Sequence, residues 1–102
     1  MDTERCLARM WGHSREEDGD GITVFRPRGF AFPLARGRDF IEFLADGTVR
    51  FYGAGPDDRT RVVTGEWRKV GEGAFEMRRP SDPAPRRMTV VHCDEQVLKV
   101  RF

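Results

Sequence analysis

Only two cysteines are present, Cys6 and Cys93, one near each end of the 102-residue chain. No CxxC spacing occurs, which leaves the usual structural zinc and dithiol redox motifs without support. Excess charge of one sign is also missing: 18 Lys plus Arg face 17 Asp plus Glu, a formal net charge of +1. That near-balance argues against dedicated nucleic-acid binding through bulk charge, and no nucleic-acid partner is expected. No apolar run approaches the roughly 20 residues that span a bilayer, so no membrane partner is expected. The first residues, Met1 to Cys6, carry no apolar stretch of the kind a secretory leader needs. The expectation is therefore a cytoplasmic protein with two reduced, buried thiols, a disulfide between the ends being the alternative. Lysine is scarce too, only Lys69 and Lys99, and no function follows from the preference for arginine. Repeats of 20 to 50 residues are absent, which removes propellers and solenoids.

What is there is aromatic. Eight Phe, two Trp and one Tyr stand in a chain that is 38% hydrophobic and 34% charged, too many rings for a disordered polymer. Residues 1–102 fit one domain with a small aromatic core. The patterns are those of strands. Phe40 to Leu44 and Val49 to Gly53 flank Asp46-Gly47, the strongest short hairpin signal, because Gly accepts the positive φ of the turn. Arg61 to Val70 alternates, with Val63, Gly65 and Trp67 on one face. Gly71 to Gly73 turns the chain into Ala74 to Arg78, and Met88 to His92 pairs with Val97 to Phe102 across Cys93 to Gln96. Pro80 to Pro85 lacks the N–H donors of a central strand.

The first third is less regular. Leu7 to Ser14 reads as one helical turn running into a strand, Glu16 to Gly21 as a polar turn, and Ile22 to Phe25 as a short strand. Residues 26–38, with Pro27, Gly29, Pro33 and Gly37, form a long ordered loop or a crossover. The fold class is all-β: an antiparallel up-and-down meander of about eight short strands, closed into a small barrel. Strands of six residues reach only about 20 Å, so any cup inside is shallow.

The residues from Trp11 to Asp18, with Phe25-Arg26-Pro27, Phe32-Pro33, Arg36-Gly37-Arg38, the Phe43-to-Thr48 hairpin and Gly65-Glu66-Trp67, resemble the small bacterial lipocalin-like domains. These are relatives of the calycin barrels, and the likeness is to a short subgroup of them without an assigned activity. The resemblance implies a barrel that takes a small apolar or amphiphilic ligand. It also implies that Trp11 plugs one end, with an arginine of the last strand, here Arg101, across its face.

Three functions follow as expectations. The leading one is a non-enzymatic binding protein for a small, partly apolar ligand, with an anionic head as one option. Its walls are Phe25, Phe40, Phe51, Trp67, Phe75 and Met77, and Arg36 or Arg38 stands at the rim, where a guanidinium would orient a carboxylate or phosphate. The second is a filled barrel serving as an interaction module, including association with its own copy. The third is an enzyme of the isomerase or cyclase kind, with His13, Glu16 or Glu17 as acid–base group.

His13, Glu16, Glu17 and Asp18 also form an acidic turn, but their spacing does not match a calcium loop, and neither a metal nor a cofactor is expected. Four acids in 14–20 precede four arginines, Arg26, Arg28, Arg36 and Arg38, in a segment free of acids. Such neighbours are expected to pair and to pin the long loop to the turn. His92 beside Cys93 and Ser14 beside His13 fail as nucleophile pairs, since adjacent strand residues point to opposite faces.

Overall fold

A computed structural model of the chain describes residues 3–33, 38–54 and 60–102. A short helix α1 (Thr3–Leu7) leads into β1 (Met10–His13). After a 3₁₀ turn at Arg15–Glu17 come β2 (Thr23–Pro27), β3 (Phe40–Phe43), β4 (Thr48–Ala54), β5 (Thr60–Gly71), β6 (Ala74–Arg78), β7 (Arg86–Cys93) and β8 (Leu98–Arg101). All neighbours are antiparallel, and the sheet closes into a barrel in the order β1-β2-β8-β7-β6-β5-β4-β3. Closure pairs both edges of every strand, which is how a small all-β chain avoids exposed edges.

From β3 to β8 the chain is an up-and-down meander of hairpins. Gly47, at φ +92°, makes the β3–β4 turn, where Leu44 N–H donates to Thr48 O at 2.9 Å and Thr48 N–H to Asp46 Oδ1 at 2.9 Å. Asp20 (φ 55°) and Gly21 (φ 76°) give the two successive positive-φ residues that a tight type I′ turn demands. One connection is not a hairpin. β2 and β3 flank β1 on its two sides and run in the same direction, so the chain between them must travel back along the barrel. The long loop or crossover expected for residues 26–38 lies in part outside the described residues; its described part follows β2 and lays Phe32 over the outer side of β1, where Gly12 leaves room for the Phe32 and Phe40 rings.

The two barrel ends differ. Tight turns after β3, β5 and β7 gather at one end, the floor, together with α1. There Leu7, Trp11, Phe43, Phe75, Met88 and Leu98 are all less than 3% exposed. Each side chain of this size contributes about 1.5–3 kcal/mol when taken from water. The indole N–H of Trp11 donates to Leu7 O at 3.1 Å, fastening α1 under the barrel, and Trp67 donates to Leu44 O at 2.8 Å. The cation across Trp11 is Arg9, 5.4 Å from the ring centroid. Arg101 was expected there, but Arg9 leaves α1 beside the floor, whereas exposed Arg101 lies three residues beyond floor-end Leu98.

The expectation of two reduced thiols is overturned. Cys6 in α1 and Cys93 at the end of β7 are joined in a disulfide, with Cα atoms 6.3 Å apart, and no cysteine is free. The disulfide between the ends, the alternative, is the one that forms, because barrel closure carries the end of β7 to the floor where α1 sits. Among the described residues no helix is long and apolar enough to cross a membrane.

Candidate functional site

At the opposite end the barrel is open. The last residues of β1, β4 and β6 and the first of β2, β3, β5 and β7 surround a cavity of about 440 Å³. Its apolar wall is made by Phe25, Ile41, Phe51, Val63 and Met77, with Phe102 beyond β8. Alternation turns the strand side chains among these inward, where they border the cavity above the packed floor. Phe40 also borders the cavity, its ring edge-on to Phe32 at 6.0 Å.

The border is polar and carries more cations than anions. Arg61, Arg79 and Arg86 stand there with Asp39, Asp82, Tyr52 and His13. The Arg79 guanidinium is 5.6 Å from the Phe51 ring centroid and that of Arg86 is 4.4 Å from the Phe102 centroid, so each cation lies on a wall aromatic. Asp82 accepts from the Arg79 side chain, with Nη2 at 3.1 Å from Oδ1 and Nε at 3.2 Å from Oδ2. These bonds, followed by one from the Arg79 backbone N–H, hold the Asp82 carboxyl below its ordinary range. Arg61 and Arg86 form no ion pair within 4 Å among the described residues, and Arg86 is near enough to Asp82 to help lower its carboxyl.

Of the residues expected to form the ligand wall, Phe25, Phe40, Phe51 and Met77 border the cavity. Trp67 and Phe75 do not. They stack on each other in the floor, centroids 5.6 Å apart, and Phe75 is fully buried. Alternation identifies which side chains point inward, but not how high along the barrel axis each one lies. Arg36 falls outside the described residues. Arg38 is absent from the border of the cavity: it donates to Glu16 at 2.8 and 3.0 Å, to His13 O at 2.8 Å and to Pro33 O at 2.9 Å. Its guanidinium lies 4.4 Å from the Phe32 ring centroid. Arg26 likewise takes Glu17, with two hydrogen bonds of 2.7 and 2.8 Å. The turn and the long loop are thus tied by Arg–carboxylate pairs.

Those pairs settle where the three acid–base candidates stand. The hydrogen bonds from Arg38 lower the Glu16 carboxyl to about 2, and those from Arg26, then Ser14, lower Glu17 to about 2. Both acids are engaged outside the cavity. His13 faces it, with Nε2 2.7 Å from Asp18 Oδ2 and its ring 5.4 Å from that of Phe25. Asp18 also accepts from Val24 N–H at 2.8 Å, which ties the acidic turn to β2. His92 pairs with Asp94 at 2.7 Å on the outside of the barrel. No group of three or more His, Cys, Asp or Glu gathers as a metal site among the described residues.

The mouth arginines went unnoticed in the sequence. Arg79 and Arg86 flank the proline-rich segment, where they read as loop charge. The one available signal was their even spacing from inward residues, Arg79 from Met77 and Arg86 from Met88.

The chain is thus a small closed antiparallel barrel, filled at one end and open at the other, an architecture compatible with a lipocalin-like fold. No protein-family model matches it, and no curated protein or solved structure resembles it at a significant level.

Proposed function

We propose that this protein binds a small amphiphile, apolar in its body and anionic at its head, in the open end of the barrel. One observation carries the reading: a cavity of about 440 Å³ whose wall is aromatic and aliphatic, and whose rim sets Arg61, Arg79 and Arg86 against Asp39 and Asp82. Ligand sites run from about 300 Å³ upward and combine apolar walls with a few placed polar groups. An arginine at the mouth adds a charge-assisted contact to a carboxylate without burying either charge.

The test is calorimetric titration with decanoate and 1-decanol, using Val63→Phe as a filled cup. Val63 sits in the wall on β5, so the added ring occupies ligand volume. The expected result is micromolar binding of decanoate, weaker binding of decanol, and at least tenfold loss of both in the variant. Absence of binding by wild type, or equal affinity in wild type and Val63→Phe, would reject the reading.

A further inference from the structure

The border of the cavity already holds a carboxylate of its own. Arg79-Pro80-Ser81-Asp82 is a β-turn closed by Asp82 N–H donating to Arg79 O at 3.0 Å, with proline at the position that fixes its φ. The turn folds the Asp82 side chain back onto the Arg79 guanidinium and leaves it only 16% exposed, against 44% for Arg79. A guanidinium offers a planar fork to a carboxylate, and here that fork is engaged by Asp82. Both residues border the cavity.

We propose that Asp82 is a tethered competitor, holding on Arg79 the place that the carboxylate of an entering ligand takes. This rests on the cup reading above and adds what sets its selectivity. Two carboxylates at one mouth repel each other, so an acid must displace Asp82 or sit beside it at a cost. A neutral head meets no such opposition. Arg86 lies on Phe102, forms no ion pair within 4 Å among the described residues and is close enough to act on Asp82, so it gives the incoming anion a second cation once Asp82 has swung out. Releasing Asp82 gives up its bonds from the Arg79 side chain and from the Arg79 backbone N–H at 3.0 Å, a cost that only an acidic ligand meets. The ligand class is a monoanion of small size. At about 30 Å³ for each non-hydrogen atom, the scale of a water molecule, the cavity of 440 Å³ takes roughly 15 atoms. A medium-chain or aromatic carboxylic acid has that size.

The experiment measures decanoate and 1-decanol affinities in wild type, Asp82→Asn, Arg79→Gln and the double variant. Asparagine keeps an acceptor for the turn while removing the charge, and circular dichroism checks that each variant is folded. The expected result is that Asp82→Asn tightens decanoate by about three- to tenfold and leaves decanol within twofold. In the Arg79→Gln background the gain should shrink, since the contested partner is gone and only relief of like-charge repulsion remains. Unchanged or weaker decanoate binding in Asp82→Asn, with decanol still bound, overturns the competitor and makes Asp82 a holder of Arg79. A gain of undiminished size in the Arg79→Gln background also overturns it. If neither compound binds wild type or variant, the cup reading itself fails and takes this proposal with it.

Discussion

Cys6 and Cys93, 87 residues apart in the chain, meet beneath the barrel and join α1 to the end of β7. A cross-link over so long a loop restricts the unfolded chain strongly, and loss of such a bond costs about 2–5 kcal/mol. Urea unfolding with and without reductant should therefore show a lower midpoint in the reduced protein, and Cys6→Ser with Cys93→Ser should match it. An unchanged midpoint would mean that the Trp11–Leu7 hydrogen bond and the packing of the floor hold α1 unaided.

The same bond bears on where the protein resides. Disulfides persist in oxidising surroundings and are rare among cytosolic proteins. The expected outcome of thiol trapping during extraction is no labelled cysteine. Two labelled cysteines would support the cytoplasmic expectation.

Acid should loosen the loop before it unfolds the floor. Glu16 and Glu17 have folded values of about 2 against ordinary values of 4.5. A carboxyl whose value is lower in the folded state stabilises fully above the unfolded value, and the contribution fades as pH falls toward the folded one. Stability should thus decline between about pH 4.5 and 2. Glu16→Gln with Glu17→Gln should flatten that limb while leaving the slope above pH 5 unchanged. Both carboxylates are over a third exposed, so salt should weaken the effect. An acid limb of the same steepness in the double variant would place the titrating groups elsewhere.

Gly65 on β5 has the backbone of Arg78 and Arg79 directly against it, and an added Cβ would overlap the Arg78 carbonyl oxygen. Backbone cannot swing aside as a side-chain tip can. Gly65→Ala should destabilise the barrel by about 1–3 kcal/mol. Gly19→Ala, where nothing lies within 4 Å of the added atom, should change stability little. Equal effects of the two in thermal unfolding would contradict the close approach of β6 to β5.

Much of this architecture could be read from residues alone. Asp46-Gly47, Gly71 to Gly73 and the alternation through Trp67 and Met77 announce hairpins, because period-two patterns between turn formers admit few other folds. The pairing of Arg26 and Arg38 with the preceding acids follows from opposite charges on neighbouring segments. Long-range geometry was not legible. The seat of β1 between β2 and β3, and the meeting of Cys6 with Cys93, arise only when the barrel closes. Trp67 points inward directly opposite Met77, yet its indole turns to Leu44 O and to the Phe43 and Phe75 rings of the floor, and a sequence carries no mark of that turn. Arg38 is the converse case: its charge was noticed, but Glu16, His13 O and Pro33 O claim it first.

The central claim is that a ligand enters the open end and stops above the floor, and two methionines report on it. Both belong to the buried core, at 3% and 1% exposure, but Met77 borders the cavity and Met88 does not. Methyl NMR spectra of methionine-labelled protein should be recorded through a decanoate titration. The account predicts a saturable shift of the Met77 methyl at micromolar ligand, with Met88 nearly unmoved. A Met77 signal that stays in place at saturating decanoate, or a shift of Met88 alone, would contradict it.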